Sequence, residues 1–167
     1  MSNTSQSNNL TRFYIICGCF GLLCIILFFV PVFRISFKSG SFEMIFAGSG
    51  LKYENTPIHN LIFDLTRVFT ILSVVALAVW AVLSFMYKAA SGVFGIIGSV
   101  LYAFVSLFWV FHITSNISDA TRFGFKPNVF VPFLMLAAAV ISLILSVIQL
   151  IKRKKLHLSS ELPSASS

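Results

Sequence analysis

Acidic residues are scarce in this 167-residue chain, with five Asp plus Glu against twelve Lys plus Arg, and only 10% of positions charged. A soluble domain typically carries about 25% charge. With 57% hydrophobic residues and 19 Phe, too little polar surface remains to wrap a body this small, which excludes a water-soluble monomer and a disordered chain alike. Long uncharged intervals account for the imbalance. Arg12 to Arg34 brackets 21 uncharged residues, Arg67 to Lys88 brackets 20, Lys88 to Asp119 brackets 30 and Lys126 to Lys152 brackets 25. Crossing a hydrocarbon core of about 30 Å takes about 20 helical residues, so each interval holds one crossing and none holds two.

The expected fold is therefore an all-α integral membrane protein, a four-helix antiparallel bundle. Its helices fall near 13–32, 68–87, 93–114 and 129–151 within a membrane domain of 13–151, flanked by a mobile tail 1–12 and a basic, then Ser-rich, tail 152–167. The first segment is a retained anchor, because its apolar stretch exceeds a secretory h-region and no small-x-small cleavage site follows it.

No carboxylate lies within a span, which removes the group that a proton- or cation-coupled transporter needs. Paired axial His for haem are missing too, since only His112 lies in a span. Cys17, Cys19 and Cys24 all sit in helix 1, and two-residue spacing points the first two to nearly opposite sides. They read as small packing residues. Neither a His-Glu-x-x-His zinc motif nor a Gly-x-Ser-x-Gly elbow occurs, so the expectation is no enzyme, no cofactor and no metal.

The first connection, 34–67, far exceeds the usual length and is the segment to expect function in. Phe33 to Lys38 alternates apolar and polar, Ser39-Gly40-Ser41 supplies a turn, and Phe42 to Phe46 forms a second apolar run. A short β-hairpin or an interfacial segment is expected there. Glu43, His59, Asp64 and Arg67 are its candidate interaction residues. Asp64 and Arg67, three apart, can pair on the polar side of a lead-in whose apolar face is Ile58, Leu61, Ile62 and Leu65. Two carboxylates and an imidazole can do acid–base work if they converge, but nothing in their spacing brings them together.

Small residues mark the helix faces. Ser91, Gly95, Ser99 and Ala103 recur every fourth position, as do Ala138, Ser142 and Ser146, with Gly21 between Cys17 and Cys24 in helix 1. Small residues at this spacing let helix backbones approach in a membrane. They serve packing within the bundle or, alternatively, a homo-oligomer interface. Gln149 can bridge two helices.

Lys152, Arg153, Lys154 and Lys155 close helix 4. Four such cations attract anionic lipid by about 1 kcal/mol each and orient the chain by the same electrostatics. Cations divide six and six between the two sides, and this contiguous cluster tilts the balance to both termini cytoplasmic, in a plasma (cell) membrane. Expected partners are membrane lipids, with anionic lipid at this cluster, and a protein partner or second copy. Nucleic acid is not expected, because no aromatic-studded basic face lies outside the membrane.

In layout, four spans with a long strand-bearing first outer loop and a basic inner tail resemble the claudin-type arrangement. That family's first-loop Trp-Gly-Leu-Trp and paired Cys have no counterpart, since Lys52 and Tyr53 stand in a stretch without Trp or Cys. Junction formation is accordingly not implied. The function expected is a non-enzymatic accessory, assembly or scaffold component acting through its first outer loop and helix faces. An oligomeric pore or transport-complex subunit is the alternative, and a lipid-acting enzyme stands behind both.

Orientation is directly testable. In a background lacking native cysteines, Lys38→Cys should react with an impermeant thiol reagent on intact cells, and Lys155→Cys only after permeabilisation. Labelling of the latter from outside would invert the topology.

Overall fold

The computed structural model describes residues 2–36, 42–46, 52–53, 56–57, 61–88, 90–122 and 125–161, with side chains described over 9–32, 64–88, 90–115 and 128–152. Four long helices dominate it: α1 (Ser2–Leu27), α2 (Leu61–Phe85), α3 (Ser91–Arg122) and α4 (Phe130–Glu161). Each contains a stretch long and apolar enough to cross a membrane: Asn9–Leu27, Asp64–Phe85, Ser91–Ser115 and Phe130–Lys152. The chain is all-helical in class and has the spans of a multi-pass membrane protein.

Burial is inverted relative to a soluble bundle. Ile16, Ile26, Ile71, Val75, Val100, Phe111 and Ile144 face outward, while Ser73, Ser84, Ser99, Ser106, Ser142, Ser146 and Gln149 are buried. Lipid solvates alkyl side chains as well as a protein core does, so apolar residues gain little by turning inward. Hydroxyls and amides must find partners inside. Helix α1 packs on α2 and α4, and α3 packs on the same two, so the four close into a ring. Trp80, Trp109, Tyr102, Leu77 and Met135 fill its centre.

Helix α1 stops at Leu27, five residues short of the expected boundary. Pro31 has no N–H to bond back to Leu27 and disfavours helical geometry at Val30. The chain accordingly tightens through Phe28 N–H to Ile25 O (3.1 Å), Phe29 to Ile26 (3.0 Å) and Val30 to Leu27 (3.2 Å). It then enters β1 (Pro31–Ser36), which pairs antiparallel with β2 (Phe42–Phe46). A separate pair joins β3 (Lys52–Tyr53) to β4 (Thr56–Pro57).

The connection between α3 and α4 is shorter than the interval between the helices expected near 93–114 and 129–151. Helix α3 continues to Arg122, and β5 (Phe125–Pro127) pairs antiparallel with β1, giving a sheet ordered β2-β1-β5. Asn128 N–H then donates to Val32 O at 2.8 Å, and Val32 is fully buried. The two tails also differ from expectation. Helical hydrogen bonding begins at Ser2 and runs on to Glu161, through the segments read as an N-terminal tail and a C-terminal basic tail. Once a span supplies the nucleus, each added residue brings one hydrogen bond for one residue fixed, so extension is nearly free.

Between α2 and α3 the turn has one unusual residue. Lys88 N–H donates to Leu83 O (2.9 Å) and Tyr87 N–H to Ser84 O (3.0 Å), the paired bonds of a Schellman stop. Its left-handed position, where Gly is usual, is Tyr87 at φ 54°. The Tyr87 ring lies 6.0 Å from that of Tyr14 on α1, a contact Gly could not supply. Left-handed geometry costs an L-residue about 1–2 kcal/mol, and an aromatic pair returns about 0.5–1.5 kcal/mol. Tyr87→Gly should therefore leave thermal stability in mild detergent near that of the parent. Tyr87→Ala, which loses the ring and keeps the strain, should fall below Tyr87→Gly by about 1 kcal/mol. Equal melting of the two variants would rule this account out.

Candidate functional site

Polar side chains in the spans converge on the bundle interior. Trp80 of α2 donates from Nε1 to Gln149 Oε1 of α4 at 2.9 Å, and Gln149 Nε2 donates to Ser84 Oγ at 3.1 Å. Trp80 and Ser84 are one turn apart on α2, so a single carboxamide accepts from one and donates to the other. All three are buried. In the ring of helices α2 and α4 stand diagonally opposite, and long side chains at these positions span the gap. Gln149 thus bridges helices as its sequence position suggests. Trp80 and Ser84 are the partners the sequence reading missed. The available signal was an indole N–H deep in a span, which must find an acceptor.

About two turns further along α4, the Ser99 and Ser142 hydroxyls meet at 2.7 Å, joining α3 to α4. Ser99 also reaches Gly95 O (2.6 Å) and Ser142 reaches Ala139 O (2.9 Å). Two hydroxyls have two protons for these three contacts, so one carbonyl keeps only its helical bond at any moment. Ser146 donates to Ser142 O (2.7 Å), and Ser106 to Tyr102 O (2.7 Å). Ser73 of α2 crosses to Gly98 O of α3 (3.2 Å). Cys24 of α1 lies beside Ser142.

Glycines set how closely the helices approach. A Cβ on Gly95 would collide with Ser146 Oγ and come within 2.8 Å of Trp80 Nε1; on Gly92 it would stand 3.1 Å from Ser146 O. On Gly21 it would meet Ala81 Cβ and Trp80 Cε3 at 3.2 Å. The sequence stripes therefore come together inside one chain. Gly21, Ser91, Gly95, Ser99, Ala138, Ser142 and Ser146 are buried, and Ala103 is half-buried. Their hydroxyls turn to backbone carbonyls and to each other, not to a common channel. Ser91 donates to Lys88 O (2.8 Å), fastening the start of α3 to the preceding turn.

One group stands apart. Tyr102 is fully buried, with its ring 4.7 Å from that of Phe28, and its hydroxyl is the only buried side-chain polar atom without a hydrogen-bond partner among the described residues. Cys17 and Cys24 are buried and Cys19 exposed, as opposite pointing requires. His112 is half-buried near the end of the apolar span of α3, stacked on Phe108 (5.9 Å) and edge-on to Trp109 (6.1 Å).

The first-loop candidates do not assemble into a described site. Glu43 lies in β2 opposite Ile35, its side chain outside the described residues, as is all of His59. Asp64 occupies the first turn of α2, where the helix dipole favours a carboxylate. Arg67, three residues on, is exposed. Lys152 is exposed with Nζ 4.0 Å from the Phe13 ring centroid; the side chains of Arg153, Lys154 and Lys155 lie outside the described residues. Among the described residues no group of His, Cys, Asp and Glu is placed to hold a metal. Comparison with family models, curated proteins and solved structures finds no match to the chain.

The arrangement acts chemically as a lock between helices. Gln149→Leu strands the Trp80 N–H and the Ser84 hydroxyl, and an unmet buried partner costs about 1–3 kcal/mol. The variant should melt clearly below the parent in mild detergent. Tyr102→Phe removes the unpartnered hydroxyl, so it should melt at or above the parent. A loss in Tyr102→Phe as large as that in Gln149→Leu would show that the hydroxyl does have a partner. Gly95→Leu should separate α3 from α2 and α4 and lower stability further than Gln149→Leu.

Proposed function

We propose that the chain is a non-enzymatic, multi-pass protein of the cell membrane that serves as an accessory, assembly or scaffold component. In this reading its four helices form an antiparallel bundle with both termini cytoplasmic. The first connection, with a β-hairpin at its base, faces outward as the partner-binding segment. One observation carries it. Strand β1, at the exit of α1, is paired on one side with β2 of the first connection and on the other with β5 at the entry to α4. The two connections at that end are thereby fastened to the bundle as one unit. Val32 and Asn128 anchor it, and β2 is the edge strand that the first connection contributes, β5 being the other edge. An edge strand offers backbone donors and acceptors to a partner.

The polar seam supports the same reading from the other direction. Residues that could line a conducting path, Ser99, Ser142 and Ser146, spend their hydroxyls on the bundle itself. Anionic lipid at Lys152 to Lys155 completes the proposed partners.

Two measurements test this. Purified protein in liposomes should leave ion flux at the level of protein-free vesicles; robust conductance by the isolated chain would overturn the scaffold reading in favour of a pore. A protein retained by the parent in its own membranes should be lost when 42–46 is replaced by a Gly-Ser stretch, in a variant whose elution on a sizing column is unchanged. Retention of the same protein by that variant would remove the first connection from the role.

A further inference from the structure

One end of the bundle gathers cations from three segments around the start of the α1 span. Arg12 and Phe13 stand together on α1. Lys152 of α4 places its Nζ 4.0 Å from the centroid of the Phe13 ring. Lys88 follows Tyr87, whose ring packs on Tyr14, the next residue of α1. Arg12, Lys88 and Lys152 are all exposed. No carboxylate pairs with any of them among the described residues.

Acid is remote from this end by sequence as well. No Asp or Glu precedes Glu43, none lies between Asp64 and Asp119, and the first after Lys152 is Glu161. Nine helical residues place Glu161 about 13 Å further along α4. The apolar spans end at Asn9 and Lys152, so the cations stand at the depth of lipid headgroups. Phe13 does more than fill space there. A cation over a ring face is held by about 0.5–1 kcal/mol at an exposed site. This contact holds the Lys152 ammonium against α1 at Phe13, the residue after Arg12, with donors left over for an anion.

We propose that Arg12 and Lys152, with Phe13 beneath the lysine and Lys88 at the flank, form a binding site for the phosphate of an anionic lipid headgroup at the groove between α1 and α4. The site rests on the proposal that these helices cross a membrane, but not on which compartment this end faces. It differs from a diffuse basic tail because two of its cations lie outside the tail, and because an uncharged ring positions a third.

The full chain in nanodiscs of phosphatidylcholine, with or without phosphatidylglycerol, provides the test. Native mass spectrometry of the released protein counts retained phosphatidylglycerol, and the melting midpoint reports stabilisation. Arg12→Gln and Lys152→Gln should each weaken retention about fivefold, the equivalent of about 1 kcal/mol per cation. Lys154→Gln should change it less than twofold. Phe13→Leu, which removes no charge, should weaken it about two- to fivefold. An equal loss in Lys154→Gln and Arg12→Gln, or no loss in Phe13→Leu, would mean general attraction to a basic surface and overturn the site. Inorganic phosphate added to phosphatidylcholine discs should not reproduce the stabilisation; full reproduction would assign a soluble anion in place of a lipid. None of these outcomes bears on partner capture or flux, so the scaffold proposal stands or falls separately.

Discussion

The Gln149 carboxamide, accepting from Trp80 and donating to Ser84, is the contact on which the rest of the bundle depends. Helix association in lipid lacks the hydrophobic drive available in water, since alkyl side chains are equally well solvated on either side of the interface. Close packing and directed hydrogen bonds must supply the specificity. An indole N–H and a primary amide have no acceptor in hydrocarbon, so a register that leaves them apart leaves each unsatisfied. The clasp therefore selects one rotation and one depth of α4 against α2, although these helices face each other across the diagonal. Gly95 and Ser146, small residues beside Trp80, make room for the large ring at that point.

From this follows an economy in the use of hydroxyls. Serines of the spans bond mostly one turn back on their own helix, as Ser106 and Ser146 do, which satisfies them without fixing a neighbour. Ser73, Ser84 and the Ser99–Ser142 pair are the ones that cross between helices. Tyr102 is the exception that measures the rule. Its ring is well used against Phe28, while its hydroxyl has no hydrogen-bond partner among the described residues. Aromatic bulk explains the residue's burial, and its oxygen is a cost the packing tolerates.

Much of this was legible before any coordinates. Charge spacing located four spans because an unpaired charge in hydrocarbon is costly enough to act as punctuation. The small-residue stripes of α3 and α4 were visible for a similar reason, as close approach tolerates few residue types. Three features were not legible. The early stop of α1 depended on Pro31 acting four residues upstream, through the hydrogen bond it cannot make. Strand β5 is only Phe125–Pro127, too short for alternation to register, and it exists because β1 offers it an edge from far away in sequence. Tyr87 in a left-handed conformation contradicts local preference outright, and only its tertiary contact with Tyr14 accounts for it. For β5 and Tyr87 the deciding interaction was non-local, and periodicity carries no record of those.

The clasp and the cationic end are joined by helix geometry. Gln149 and Lys152 are three residues apart on α4, which sets them about 60° apart around the axis and less than one turn apart along it. Gln149 points across the diagonal to α2, and α1 is a direct neighbour of α4. A residue rotated by that amount reaches α1, where Lys152 meets Phe13. Fixing Gln149 against Trp80 thus also fixes which surface the lysine can touch. A one-residue slip of α4 would turn the lysine about 100° away from Phe13 and break the contact with Trp80 at the same time. The cation at the membrane boundary is in this sense positioned from the core, by an amide that carries no charge.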